Sequence, residues 1–247
     1  MPKAVEAGGR RLQREHRDEG TIAAGRYRPR RERNFELPRP VVEELRDAGG
    51  ELVGRRTAAE LEHRLMSAAQ AYERDRYKEA LAALKPVVDH APRSPAAREL
   101  YGLTLYRLGR WRQAAKELRL FHELSGSYDQ HPVIADCERA LGRLERVRGL
   151  WDEIRKAGVD REVLVEGRLV MAGALADAGA IEEAVALLLP AGKQRRHADL
   201  PVLREWYALA DLYEKGGDLP RARELFGRIA RQAPEALDAR ERLRAIR

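Results

Sequence analysis

The side chains best equipped for chemistry in this chain gather in a few places. Residues 206–222 read WYALADLYEKGGDLPRA, with Trp, Tyr, Asp, Glu and Lys close together, the residue types from which acid–base sites are built. Cys137 is the single cysteine, and His131 lies six residues before it. A thiolate nucleophile needs a base within hydrogen-bond reach and a third group to orient that base. An offset of six on one helix points two side chains to different faces, so this pair reads as structural. Glu60 and His63 have the spacing to share a metal on a helix face. However, His16, His63, His90, His122, His131 and His197 form no HExxH and no Cys/His pairing. Gly8-Gly9 and Gly216-Gly217 lie in no GxGxxG or GxxxxGK[ST] context. No catalytic, cofactor-binding or metal-ligating residue is assigned, and the chain reads as non-enzymatic with no cofactor.

Residues 25–35, GRYRPRRERNF, are a different case. Arg26, Arg28, Arg30, Arg31 and Arg33 interleave with Tyr27 and Phe35. Guanidinium groups bind phosphate bidentately and aromatic rings stack on unpaired bases, so RNA contact is one reading. A solvated arm, or one that docks on a protein, is the other, because arginine clusters without a reading surface bind nucleic acid nonspecifically. The formal net charge is +7, of which residues 1–40 carry +5. A second basic cluster, Lys193, Arg195, Arg196 and His197, falls in a long connection that reads as an exposed loop.

The elements that must position these groups are helical. Ala, Leu, Arg and Glu dominate, and all are good helix formers. Within residues 206–222, Trp206, Leu209, Ala210 and Tyr213 sit at i, i+3, i+4 and i+7, one stripe of a helix. Gly216-Gly217 ends that helix, Ala222, Leu225, Phe226 and Ile229 continue the stripe on a second, and Pro234 stops it. The same small-residue slots recur upstream. Ser67-Ala68 pairs with Ala80 and Leu84, Tyr101-Gly102 with Ala114 and Leu118, Ile134-Ala135 with Val147 and Trp151, and Met171-Ala172 with Ala184 and Leu188. Ala80, Ala114, Val147, Ala184 and Ala222 are spaced 34, 33, 37 and 38 residues apart. The unit around Val147 is the weakest of these matches.

This W-x2-L-G-x2-Y…A-x3-F…P pattern resembles the tetratricopeptide repeat (TPR), with Ala210 in place of the glycine. The resemblance implies an all-α TPR solenoid of about five helical hairpins over residues 57–247, with 235–247 as a C-terminal capping helix. Residues 1–40 read as a disordered basic arm and 41–56 as a short helix and connector, the helix opened by Pro40 and ended by Gly49-Gly50. Thr57-x-x-Glu60 reads as a capping box before the first repeat helix. The Arg- and Ala-rich body also resembles uncharacterised cytosolic TPR proteins of actinobacteria, a likeness that implies no activity. The lone cysteine fits a reducing compartment. No apolar run approaches the ~20 residues of a membrane span, and the acidic N-terminal residues do not read as a leader. A cytoplasmic location with no membrane partner is expected.

In TPR proteins the first helix of each hairpin lines a concave groove, one step round from the packing slots. That step gives Leu65, Ala69 and Tyr72; Glu99, Leu103 and Tyr106; Pro132, Asp136 and Arg139; Leu169, Gly173 and Ala176; and Tyr207, Asp211 and Glu214. The Lys, Asn and Arg with which familiar TPR grooves clamp a C-terminal carboxylate are almost absent from these slots. The expected partner is an extended or helical protein segment with apolar anchors and some basic residues. The alternatives are an RNA- or ribosome-associated factor held by the arm, and a self-assembling scaffold.

Overall fold

A computed structural model describes residues 41–43, 45, 47, 55–192, 198–234 and 237–246. The expectations for the arm at 1–40 and for Lys193, Arg195, Arg196 and His197 lie outside these residues. Every regular element among the described residues is helical: α1 (Arg55–Glu73), α2 (Tyr77–His90), α3 (Pro95–Arg107), α4 (Trp111–Ser125), α5 (His131–Ala140), α6 (Leu144–Lys156), α7 (Arg161–Asp177), α8 (Ile181–Leu188), a 3-10 turn (Leu189–Gly192), α9 (Leu200–Lys215), α10 (Leu219–Gln232) and α11 (Ala239–Ala245). Residues 41–43, 45 and 47 are helical as well. The chain divides into two compact units, one ending at Leu141 and the other beginning at Gly142. That boundary falls inside the repeat whose sequence match is weakest.

In the first unit α1 packs on α2, α2 on α3, α3 on α4 and α4 on α5. In the second, α6 packs on α7, α7 on α8, α8 on α9, α9 on α10 and α10 on α11. Within each unit the paired helices α1–α2, α3–α4, α7–α8 and α9–α10 pack together, and the small-residue slots are covered. Ala68, Gly102, Ala135, Ala172 and Ala210 are all buried. A methyl group on Gly102 would lie 2.6 Å from Leu118 Cδ2, so the crossing of α3 and α4 excludes even alanine without rearrangement.

The turns after α1, α3, α7 and α9 share one geometry. After α9 the Gly217 N–H donates to Glu214 O at 3.0 Å and the Asp218 N–H to Tyr213 O at 2.8 Å, with Gly217 at φ 81°. This is the Schellman arrangement, which uses up the last carbonyls of the helix. The equivalent left-handed residues are Asp75, Gly109 and Gly179, and Gly142 also has a positive φ. Asp75 is the exception, since a non-glycine residue is strained at positive φ. Helix starts are capped by side chains at Ser94, Asp199 and Asp218, each accepting from a backbone N–H at 3.2 Å, with a proline one or two residues later.

Two expectations are corrected here. Helix α1 begins at Arg55, so Thr57 lies inside the helix and cannot be the extended cap residue of a capping box. Leu65 is core rather than groove. It is 2% exposed and shares a buried cluster with Leu45, Leu61, Leu84 and Val87, because Leu45 covers that face.

Candidate functional site

The groove slots separate into those that stay partly open and those that are sealed. Ala69 and Tyr72 on α1, Glu99 on α3, Arg139 on α5, and Leu169, Gly173 and Ala176 on α7 are half-buried. Leu103, Pro132, Asp136, Tyr106 and Tyr207 are buried, and the reading of Leu103, Tyr106 and Tyr207 as exposed groove residues is corrected accordingly. Within each unit first helices meet, α1 with α3 and α3 with α5 in the first and α7 with α9 in the second, and the polar ends of several of these side chains are consumed by neighbouring helices. Tyr106 Oη donates to Asp136 Oδ2 at 2.5 Å, and Gln130 Nε2 donates to Glu99 Oε1 at 2.8 Å. Arg139 pairs with Asp136 at 3.6 Å. Burial, reinforced by Asp136, pushes the Tyr106 hydroxyl far above its ordinary pKa, so it remains a donor.

The last hairpin is different again. The sequence leaves Tyr207, Asp211 and Glu214 as residues open to a partner; the structure fills them with Arg242 of α11. Arg242 Nη2 lies 2.9 Å from Asp211 Oδ1 and 2.7 Å from Glu214 Oε2. Its Nη1 donates to Tyr207 Oη at 3.1 Å, while Tyr207 Oη donates to Asp238 Oδ1 at 2.6 Å. The guanidinium carbon is 5.1 Å from the Phe226 ring centroid and 5.8 Å from that of Tyr207. Burial alone would raise the Asp211 pKa, but hydrogen bonds from Arg242 and Lys215 outweigh it and hold the carboxyl below its usual range.

Ion pairs on buried or half-buried carboxylates also link α3 to α4, α4 to α5 and α7 to α9. Arg98 meets Glu117 at 2.6 Å, Arg119 meets Glu138 at 2.6 Å, Arg168 meets Glu205 at 2.5 Å, and Arg204 forks onto Glu166. A buried carboxylate such as Glu138, 1% exposed, is tolerable only when paired. No local pattern in the sequence marks these charges as paired. Their one signal is the separation of 37 or 38 residues for the pairs Arg168–Glu205 and Glu166–Arg204, which matches the repeat length in that part of the chain.

Cys137 is fully buried. Burial, then the nearby Asp136 and Glu138, pushes its thiol well up, so it stays protonated. The His131 ring packs against His122 and Tyr128, each 4.5 Å between ring centroids. Among the described residues no group of three or more His, Cys, Asp or Glu is placed to hold a metal ion. No helix among them is long and apolar enough to cross a membrane. Glu60 and His63 share an open hollow with Ala59, Arg64, Ser67 and Ala83.

Residues 71–120 match the sequence profile of a tetratricopeptide repeat family. The fold is similar to that of TTC0263, a thermophilic TPR protein of Thermus thermophilus, with TM-score 0.54 and 23% identity over 75% of this chain and 98% of that one. YrrB, described as a TPR protein with an unusual peptide-binding site, aligns with TM-score 0.48 and 13% identity over 72% of this chain and 88% of that one. No curated protein matches the sequence.

Proposed function

We propose that this chain, a tetratricopeptide-repeat protein, is a non-catalytic adaptor that binds a protein segment along the first helices of its hairpins. The observation that carries this reading is the contrast between neighbouring slots on one helix. On α7, Val170, Met171, Ala174 and Leu175 are buried in packing, while Leu169, Gly173 and Ala176 remain half-buried. They form a shallow apolar strip lined by small residues, against which a backbone can approach closely. On α1, Tyr72 and Ala69 repeat the pattern. Such strips suit apolar anchors of an extended or helical peptide. The non-catalytic part is supported by the sealed, protonated thiol of Cys137 and by the packing of His131 against rings rather than beside a nucleophile.

The test is affinity capture from cell extract with crosslinking, using full-length wild type, Tyr72→Ala and Leu169→Glu. A partner held by wild type and lost from the variants is the expected result. A partner retained equally by all three overturns the reading. The alternative, an RNA- or ribosome-associated factor tethered through Arg26, Tyr27, Arg28, Arg30, Arg31 and Arg33, is separated in the same experiment. Nuclease treatment or deletion of residues 1–40 then removes the partner, and binding falls steeply with salt.

A further inference from the structure

We propose that Tyr207, Asp211, Glu214 and Phe226 form an arginine-recognition site whose resident occupant is the chain's own Arg242, and that an arginine-bearing amphipathic helix of a partner protein takes the same place in trans. This rests on the adaptor reading and names the chemistry of the partner at the last hairpin.

The site is shaped for a guanidinium rather than for any cation. Two carboxylates one turn apart on α9 receive one nitrogen, at 2.9 and 2.7 Å. A phenol oxygen receives the other at 3.1 Å. The planar group lies against the rings of Phe226 and Tyr207. A lysine ammonium has neither the fork nor the plane to make both sets of contacts.

What separates this site from the other arginine–carboxylate pairs is the element that brings the arginine. Arg168 and Arg204 come from helices of 17 and 16 residues, each carrying several buried apolar side chains. Arg242 comes from a helix of seven residues in which Ala239 is the buried side chain, followed by Ile246. A helix of that length has no stability of its own in water, so its seat rests on burial of Ala239 and Ile246, on the hydrogen bond from Arg223 to Ile246 O and on the contacts of Arg242. A partner helix with an arginine in the same register and an apolar residue three or four positions away reproduces those contacts. Such a helix must displace the tethered Arg242, which has the advantage of its high effective concentration.

The experiment uses full-length protein and, as probe, a fluorescent peptide with the sequence of residues 234–247. The protein is wild type, Arg242→Ala or Arg242→Glu, and each Arg242 variant is also combined with Asp211→Asn and Glu214→Gln. Removing the resident arginine should tighten probe binding about tenfold or more, since an internal occupant that fills about nine-tenths of the sites scales the apparent affinity down to the open fraction. Arg242→Glu should bind at least as tightly as Arg242→Ala, and the Asn/Gln pair should abolish binding in both backgrounds. A probe with lysine in place of its central arginine should bind several-fold more weakly. Circular dichroism showing unchanged helix content keeps the comparison among folded proteins. Equal binding to wild type and both Arg242 variants, or binding that survives Asp211→Asn with Glu214→Gln, overturns the proposal. A wild-type dimer in light scattering, lost in Arg242→Glu, overturns the partner assignment in favour of a second copy donating its own α11. The adaptor reading is judged separately, by capture that depends on Tyr72 and Leu169. If that capture persists while the probe fails, only this inference falls; if the probe binds while capture fails, only the adaptor reading falls.

Discussion

Tyr106 and Tyr207 do the same local job in the two units, and their surroundings give the two bonds different permanence. Each tyrosine projects from the first helix of a hairpin and donates to an aspartate on a following helix, Asp136 in the first unit and Asp238 in the second. Asp136 belongs to α5, where Ile134, Ala135 and Cys137 beside it are buried, and its side chain is 12% exposed. Asp238 is exposed at the start of a seven-residue helix. The first bond is a fixed part of a packed interface. The second, with Arg242 bridging to Asp211 and Glu214, holds down an element that has little apolar burial of its own.

The largest way to break the comparison is to disturb the packing that makes the first bond permanent. Gly102→Leu drives a side chain into Leu118 and should cost about 3 kcal/mol or more, read as a lowered midpoint in urea, and should release Tyr106 with it. Tyr106→Phe leaves Asp136 buried without its hydroxyl donor and should cost roughly 2 kcal/mol. Acid probes the same unit through His131. Burial first, then the positive fields of His122 and Arg119, lowers its pKa to about 4, against an ordinary 6.5. The unfolded chain therefore takes up a proton at higher pH than the folded one. The stability tied to a neutral His131 is complete above about pH 6.5 and is lost as pH falls toward 4, by roughly 1–3 kcal/mol. His131→Gln should flatten that part of the stability–pH curve. In the second unit, Arg242→Ala should cost only about 1 kcal/mol, because Asp211 and Glu214 are half-buried and water can reach them. Tyr207→Phe should cost least, about 0.5 kcal/mol, since Asp238 returns to solvent. A Tyr207→Phe effect equal to that of Tyr106→Phe would erase the distinction between the two units.

The features legible in the sequence are those set by residues close together. The stripe Trp206, Leu209, Ala210 and Tyr213, the small slots at Ala68 and Gly102, and the turn at Gly217 follow from helical periodicity and from the size of single side chains. Asp75 is missed as a turn because glycine is the signal for a left-handed residue and aspartate fills the position instead. Thr57 is misread because an S/T-x-x-E pattern inside a helix looks the same as one at its start. Several expected groove slots are less open than the sequence suggests. Whether Leu65 or Tyr106 is covered depends on Leu45 or Asp136, 20 and 30 residues away, and no local pattern records that partner. Arg242 is the extreme case, since nothing in RERLRAIR distinguishes it from the other three arginines of that stretch.

The central claim, that partners meet the partly open slots of the first helices, is tested most directly by site-specific photocrosslinking in cell extract. A benzophenone side chain is placed at position 72 or 169 and, as the comparison, at the exposed Lys78 of α2. The account predicts a discrete protein adduct from 72 or 169 that is absent from 78 and survives nuclease. An identical adduct pattern from all three positions, or adducts from 78 alone, would contradict it.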